Sequence, residues 1–395
     1  MNEVQKRFWI LVISVVISGI AQGMLLPVIA IILENNHISS TINGLHATGL
    51  AIGVLLISPF LEKPLRKLGY RPILILGGGL VVLSLITFPF VTNLWFWFIL
   101  RIFIGIGDHA LHFTAQTWIT STVEPHELGK KISIYGLSFG IGFMIGPMMT
   151  NLVQYNEAYP FFVSGILCFI AWLLFFGIQN DYPKTANLDL ESNQPVWKKY
   201  QFIFKMAGMA MLPPLAYGII ESCISSNFPV YALRLDFSLE QISIIVPAFA
   251  LGGILTQVPL GILSDKYGGK QVITFCFGIG SIIFLLAGFS ESSWLILFFM
   301  VLFSGMTVAS LFSLGLKFMS ERIPIHLLPT ANIIFGIFFS SGYILGPSVC
   351  GVLIDRFSNV SLFTFLAIYC LALFLLFIWP MKQNLDQTTN QTTQR

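Results

Sequence analysis

The sequence predicts an all-α polytopic membrane protein whose twelve transmembrane helices form two pseudo-symmetric bundles of six. Its composition, its long apolar runs and an internal repeat support this prediction. Hydrophobic residues make up 55% of the 395-residue chain and charged residues only 10%, and the mean hydropathy is +0.82. Soluble domains do not have such a composition. The protein is therefore expected to work within a lipid bilayer, and no nucleic-acid partner is expected.

Twelve apolar runs are each about as long as the ~20 residues that a bilayer-crossing helix needs. They lie near residues 8–33, 44–61, 72–92, 94–119, 132–153, 159–178, 207–233, 240–263, 271–290, 293–318, 327–354 and 359–379. The basic N-terminus lacks a small-residue cleavage site, so it is interpreted as the start of a retained first helix. The expected domains are an N-terminal six-helix bundle (1–178), a cytoplasmic linker (179–206), a C-terminal six-helix bundle (207–381) and a disordered cytoplasmic tail (382–395).

Lysine and arginine are strongly biased toward one side of this topology. All but three of the 21 basic residues fall in segments that share a side with both termini. Arg234 and Arg356 fall on the opposite side, and Arg101 falls within the membrane. Because cytoplasmic segments carry an excess of basic residues, both termini are expected in the cytoplasm and the protein in the cell membrane.

The two halves of the sequence repeat at a constant offset. Residues of a Gly-Gly-Pro pattern in the fifth predicted span recur 200 positions later in the eleventh: Gly142, Gly146 and Pro147 return as Gly342, Gly346 and Pro347. A general bias of membrane helices toward Gly and Pro does not keep one offset. Repeated six-helix halves are a transporter design in which the substrate site lies near the membrane midplane between the halves.

Polar residues lie on one stripe of the fourth span. At helical spacing the stripe contains Arg101, Gly105, Asp108, His112 and Gln116. Ionisable groups at membrane depth are costly and usually face a bundle interior or a wet cavity. We expect Asp108 to carry protons and Arg101, His112 and the adjacent His109 to modulate it. The alternative is a structural polar contact between packed helices.

Neither a metal nor a cofactor is expected. His109 and His112 share a helix face with Asp108 and could hold a metal, but a proton relay or a satisfied polar pair is commoner. No P-loop pattern of the form GxxxxGK[ST] occurs. The five cysteines lie in apolar runs without a CxxC pair, and they are expected to be free, buried thiols.

Every third span, counted from the first, carries polar groups that need water or partners. These four spans are expected to line one central cavity, with substrate-cavity residues Gln22, Gln116, Glu221, Ser225, Asn227, Thr307 and Ser310. The third, sixth, ninth and twelfth spans have no charged interior residue and can face lipid. Asp108 and Glu221 lie near mid-membrane in opposite halves, so we expect them to face each other. The alternative for Glu221 is a bond to a neighbouring serine or backbone group.

Three motifs resemble those of the major facilitator superfamily, and within it the twelve-span drug:proton antiporter branch. The first follows the eighth span and is similar to the family's cytoplasmic loop motif at Gly261, Asp265, Lys266, Gly268 and Lys270. Its copy after the second span departs from the pattern, with Arg66 where the family has Asp. The resemblance implies the superfamily's fold, and it implies that Asp265 acts as a conformational latch.

The second and third motifs lie inside spans. Arg101 followed by Gly105 resembles the family's fourth-span motif, whose arginine is tied to proton coupling. The Gly142–Gly146–Pro147 pattern resembles the antiporter motif, although Ser133 stands where its first glycine is expected. Small residues there allow close helix approach.

The expected function is therefore a proton-coupled secondary transporter, not an enzyme, that exports small amphipathic or drug-like molecules by alternating access. Its expected partners are a small-molecule substrate, protons and the lipid bilayer, and it is expected to be monomeric. One alternative is a dedicated exporter of one metabolite, metallophore or lipid precursor. Another is an intramembrane enzyme using Asp108, His109 and His112, against which the repeat argues, because catalysis does not need matched halves. A signalling membrane protein is disfavoured because no soluble sensor domain is evident.

Overall fold

The structure, a computed structural model, describes residues 3–123, 125–183, 196–324, 327–356 and 362–379. This part of the chain is built from helices and short connections, and it contains no strand. The middle of the predicted linker and the predicted tail 382–395 lie outside the described residues.

Eleven helices in the described part are long and apolar enough to cross a membrane, and a twelfth apolar helix is shorter. The N-terminal half contains α1 (Glu3–Asn35), α2 (Ser40–Phe60), α3 (Tyr70–Phe90), α4 (Leu94–Thr122), α5 (Lys130–Gln154) and α6 (Tyr159–Gly177). The C-terminal half contains α7 (Tyr200–Arg234), α8 (Leu239–Tyr267), α9 (Gly269–Gly288), α10 (Trp294–Ser320), α11 (Leu328–Arg356) and α12 (Leu362–Ile378). The predicted all-α fold is confirmed.

Two helices change their winding where the sequence contains Gly or Pro. In α5, the α-helical turns end at Ile145 and a 3₁₀ segment runs over Gly146–Gln154, since Pro147 lacks an amide hydrogen. In α7, a π-helical turn covers Cys223–Asn227, shortly before Pro229. Such π turns are frequent at functional sites.

The repeated glycines lie where helices cross backbone to backbone. A Cβ atom on Gly146 would lie 2.5 Å from the carbonyl oxygen of Ile20 in α1, and one on Gly346 would lie 2.7 Å from that of Ile219 in α7. Both distances are shorter than real Cβ contacts. The predicted close crossings are confirmed. By contrast, a Cβ on Gly136 would have no neighbour within 4 Å.

A second pair of crossings repeats in the same way. Gly53 of α2 meets Gly105 of α4, with 3.1 Å between an added Cβ and the facing Cα. Gly252 of α8 meets Gly305 of α10, with 3.0 Å between an added Cβ and the facing carbonyl carbon. Because the same helix pairs touch at equivalent glycines, the sequence repeat is also a packing repeat.

The halves are joined at the end where α1 and α7 finish, which we call the far end. There the Nε of Arg234 donates to Glu34 across 2.8 Å, and its Nη2 donates to the Ser40 hydroxyl across 2.7 Å. Asp355 of α11 accepts from the backbone amide and the hydroxyl of Thr41, at 2.8 and 2.7 Å. These bonds tie the end of α1 and the start of α2 to the C-terminal half, and we call them the far-end lock.

Helices α2 and α11 also touch directly beside the far-end lock. A Cβ on Gly44 would lie 2.6 Å from the carbonyl carbon of Pro347, and one on Gly351 would lie 2.8 Å from that of Ser40. Two glycines, one from each half, therefore let the backbones meet.

The opposite end, which we call the linker end, holds the start of α1 and the loop after α6. Arg7 pairs with Asp181 at 3.3 Å, and the Tyr70 amide donates to the Asp181 carbonyl at 3.0 Å. These contacts stay within the N-terminal half. Among the described residues, no hydrogen bond or ion pair joins the halves at the linker end. The two halves are thus held together at the far end in this conformation.

Candidate functional site

The first polar centre is built around Asp108 of α4. Its carboxylate is 8% exposed and accepts hydrogen bonds from the Ser18 hydroxyl and the Gln22 amide of α1. Ser18 and Gln22 are four residues apart, so they lie on one face of α1. The predicted cavity residue Gln22 is therefore brought to the predicted proton carrier.

His112 extends this centre toward α5. It lies one helical turn after Asp108, and its Nε2 is 3.6 Å from an Asp108 oxygen and 3.2 Å from the Ser18 hydroxyl. Its Nδ1 lies 2.9 Å from the phenolic oxygen of Tyr135. The Asp108 centre thus joins three helices through side chains that are all hydrogen-bonding donors or acceptors.

No lysine or arginine among the described residues pairs with Asp108. An ionised carboxylate at membrane depth is costly. When ionised, Asp108 has only two hydrogen bonds and the adjacent imidazole to stabilise it, and binding one proton removes the charge. This centre can therefore exist in a protonated and a deprotonated form.

The second polar centre contains Arg101, which is fully buried. Its Nη1 lies 3.0 Å from Nδ1 of His46 in α2, and its Nη2 donates to the Leu25 carbonyl at 3.1 Å. The other ring nitrogen of His46 lies 3.0 Å from the Leu94 carbonyl. Since a carbonyl only accepts, this Nε2 carries the hydrogen, and Nδ1 is free to accept from Arg101.

The partners of Arg101 are neutral, and its Nε has none in the described part of the chain. Across the midline, Glu221 of α7 is 8% exposed and bonds to Tyr217 one turn earlier. Tyr343 of α11 lies within electrostatic range of both Glu221 and Arg101. The second centre therefore spans both halves, with a buried cation on one side and a buried carboxyl group on the other.

The predicted stripe on α4 is divided between these centres. Asp108 and His112 lie in the first centre and Arg101 lies in the second. Gln116, one turn beyond His112, is exposed. His109 points elsewhere, with its Nε2 2.9 Å from the hydroxyl of Ser58 in α2.

The other predicted cavity residues make bonds within the C-terminal half or have no described partner. Asn227 donates to the Pro347 carbonyl at 3.2 Å, which ties the π-helical turn of α7 to α11. Thr307 donates to the Ser304 carbonyl of its own helix at 2.9 Å. Ser225 is buried, and the buried hydroxyl of Ser310 has no partner among the described residues.

The loop motif after α8 is held by an ion pair within the C-terminal half. Asp265 pairs with Lys317 at the end of α10. Gly268 has φ +92°, a left-handed conformation that favours glycine. Lys270 donates to the Trp379 carbonyl at 3.1 Å, whereas Lys266 is exposed and a Cβ on Gly261 would meet nothing within 4 Å. In this conformation Asp265 makes no described contact with the N-terminal half.

The five cysteines are free and buried, as the sequence predicts. Two of them meet: the sulfur atoms of Cys223 in the π-helical turn and Cys350 in α11 are 2.6 Å apart. Among the described residues, no group of three or more His, Cys, Asp or Glu side chains is placed to hold a metal ion.

Sequence reasoning missed five side chains of the two centres: Ser18, His46, Tyr135, Tyr217 and Tyr343. Two carried a usable signal, because Ser18 is four residues before Gln22 and Tyr217 four before Glu221. The others come from separate helices, and only the packing brings them to the centres.

Two repeated six-helix halves, joined at one end and enclosing buried titratable groups, define a membrane transporter. The family model of the Major Facilitator Superfamily matches residues 11–240 and 215–394, which is nearly the whole chain. The chain belongs to this superfamily, and it is a multi-pass membrane protein.

Relatives and solved structures agree with this assignment. An uncharacterized MFS-type transporter of Bacillus subtilis, YfkF, is 48% identical over 364 residues, 92% of each chain. Multidrug resistance protein 2 of the same organism is 22% identical over 97% of this chain and 98% of its own. A crystal structure of the nucleoside transporter NupG has a TM-score of 0.77 at 14% identity and covers 96% of this chain and 98% of its own. A bacterial homolog of the human lysosomal transporter Spinster, described as inward-facing and unoccupied, has a TM-score of 0.73 at 13% identity, over 96% and 95% of the two chains.

Proposed function

We propose that this protein is a proton-coupled secondary transporter of the plasma membrane, an antiporter that exports small amphipathic or drug-like molecules. The observation that carries the proposal is the Asp108 centre. A buried carboxylate without a basic partner among the described lysines and arginines, hydrogen-bonded to Ser18 and Gln22 and adjacent to His112, can bind and release one proton.

The arrangement of the halves supports an alternating-access cycle. Among the described residues, the bonds that join the halves lie at the far end. If the linker end is cytoplasmic, as the lysine and arginine bias predicts, this conformation is closed to the outside. Protonation of Asp108 from outside and its deprotonation inside would then drive export of a solute.

The second centre is proposed as the substrate-facing part. Glu221 and Tyr343 come from the C-terminal half and Arg101 from the N-terminal half, so a solute between them would sense the relative position of the halves. The Gly-Pro motif of α5 and the similarity to a multidrug resistance protein support export of drug-like solutes over uptake.

A second candidate is a dedicated exporter of one anionic metabolite. It is favoured by Arg101, a fully buried cation whose bonded partners are neutral and whose Nε is unpaired in the described part of the chain. Buried charges are normally paired, so an anionic group of a solute would complete this site.

The proposal is tested in proteoliposomes with an imposed pH gradient, using ethidium as the cationic probe and fluorescein as the anionic probe. We expect the wild-type protein to accumulate one of them uphill. Asp108→Asn should abolish uphill accumulation, since an amide does not bind a proton at neutral pH, while leaving downhill exchange of the probe. Glu221→Gln serves as the comparison and should change apparent affinity while keeping proton coupling. Uphill transport by Asp108→Asn at the wild-type rate would refute the assignment of the proton to Asp108.

A further inference from the structure

The hydrogen bonds around Asp108 have a single consistent direction. Ser18 has one hydroxyl hydrogen, and it is donated to Asp108. The contact of 3.2 Å between Ser18 and His112 must then be a donation from Nε2 of the imidazole to the serine oxygen. A neutral His112 with its hydrogen on Nε2 has a bare Nδ1, so the phenol of Tyr135, 2.9 Å away, donates to it.

We infer that Tyr135, His112 and Ser18 form a proton wire that connects Asp108 with the linker end. Every donor in this chain points toward the carboxylate. The inference rests on the proposed function, because it names the route by which the proposed carrier exchanges its proton with the linker end, the side of release in the proposed cycle. Tyr135 is 4% exposed, and its described hydrogen bond and ring contact are with His112 and not with the Arg101–Tyr343–Glu221 centre.

A small cavity adjoins the end of the wire that Tyr135 forms, on the side of the linker end. Its volume is about 10 Å³, and its polar lining consists of Ser14, Ser18, His112 and Tyr135. A space of this size with several polar partners is about what one buried water molecule needs. Ser14 uses its hydrogen on the Ile10 carbonyl at 2.8 Å, so its oxygen is free to accept. The Tyr135 oxygen is equally free, since its own hydrogen is given to His112.

The cavity lies toward the linker end, because it is lined by Leu11 and Ser14, one to two helical turns closer to the start of α1 than Ser18. We place one water molecule there as the entry to the wire. A proton arriving on this water moves to the Tyr135 oxygen as the tyrosine hydrogen passes to Nδ1 of His112. The Nε2 hydrogen passes to Ser18 at the same time, and the serine hydrogen passes to Asp108.

The transfer balances: one proton enters at the water, one neutral carboxyl group forms on Asp108, and each relay residue ends with as many hydrogens as it began with. Running in reverse, the wire empties Asp108 toward the linker end and restores the starting arrangement. Two further titratable groups interact with this centre, Cys168 of α6 with Asp108 and His109 of α4 with His112. Neither is hydrogen-bonded to Asp108 or His112 in the described part of the chain, and so neither offers a bypass.

The test is a pH jump on the full-length protein in liposomes, followed by time-resolved infrared spectroscopy of the protonated carboxyl group. The band of Asp108 is identified by its absence in Asp108→Asn. Tyr135→Phe keeps the aromatic ring and removes only the hydroxyl. We expect it to slow the appearance of the band by about 100-fold, the low end of what positioned proton-transfer groups contribute, with unchanged final amplitude and thermal stability. Tyr159→Phe, the same change on a half-exposed ring of α6, should have no effect.

A second variant protects the test against loss of folding. Ser18→Ala interrupts the wire on the other side of His112 and should slow the band similarly. Protonation of Asp108 at the wild-type rate in Tyr135→Phe or in Ser18→Ala would refute the proposed wire. If the carboxyl band of Asp108 appears in the wild-type protein but the protein shows no proton-driven transport, the proposed function is refuted. The proposed wire is not contradicted by that result.

Discussion

Removal of the Arg234 side chain should shift the protein toward the state that is open at the far end. Arg234 holds Glu34 through two charge-assisted bonds of 2.8 and 3.2 Å, and it also donates to Ser40 at 2.7 Å. All of these bonds cross between the halves. A state in which the halves separate at the far end cannot keep them, so Arg234→Ala removes their stabilisation from the closed state only. The contact of Arg234 with Asp355 at 3.5 Å lies within the C-terminal half and can persist in both states.

The magnitude follows from geometry and exposure. Two parallel bonds from one arginine form a strong ion pair. However, the Arg234 side chain is 37% exposed and Glu34 is 19% exposed. Solvent-exposed ion pairs contribute about 0.2–1 kcal/mol, and bidentate charge-assisted bonds contribute more. For this half-buried pair with its added serine bond we take about 1–2 kcal/mol, which corresponds to an equilibrium shift of about 5- to 30-fold.

The assay is the distance between spin labels on the two halves, measured in liposomes. Glu157→Cys and Ser292→Cys place labels in exposed loops at the far end, and the five native cysteines are buried. Arg234→Ala should raise the long-distance population by the factor above. Arg356→Ala is the matched control, since Arg356 is exposed at the same end and has no described partner.

A double-mutant cycle with Glu34→Ala separates the pair from other effects of the substitution. The two changes together should shift the population little more than Arg234→Ala alone. If Arg234→Ala leaves the distance distribution unchanged, the far-end lock does not stabilise the closed state and the reasoning from these bonds is wrong.

Three further outcomes are expected. Gly146→Leu should reduce transport through a clash of about 1–3 kcal/mol with α1, whereas Gly136→Leu, with open space around it, should be tolerated; equal flux in both would exclude a packing role. Asp265→Asn removes the ion pair with Lys317 and should slow switching between states without loss of probe binding, as stopped-flow quenching would show; lost binding at unchanged turnover contradicts it. An impermeant thiol reagent outside intact cells should label a cysteine placed at residue 157 and not one placed at residue 67, and the reverse pattern would invert the topology.

The sequence was sufficient for the spans, the repeat and the glycine crossings, because each depends on local composition or on a constant offset. Helical spacing also indicated that Asp108 and His112 share a face, and the structure brings Gln22 of α1 to that face. Spacing could not separate Arg101 from Asp108. The two lie on one stripe, but the arginine side chain is long, and its direction is set by acceptors on other helices, the His46 ring and the Leu25 carbonyl.

Tyrosines were the main omission, for a physical reason. Tyr135 and Tyr343 lie in spans that contribute no other residue to their centres, and a single phenol in an apolar helix looks like lipid-facing bulk. Only the packing of α5 and α11 brings Tyr135 to His112 and places Tyr343 within electrostatic range of Glu221.

The contact of α2 with α11 beside the far-end lock has a consequence for leakage. Gly44 and Gly351 let main chains touch, so no side chain can swing aside to make a narrow passage there. Whole helices must separate before an ion or a solute can pass. A barrier that opens only when one half moves as a rigid body has no partly open state. The pathway would therefore not be open at both ends at the same time. In the proposed proton-coupled cycle, protons would then cross only in a completed cycle and would not leak through this crossing.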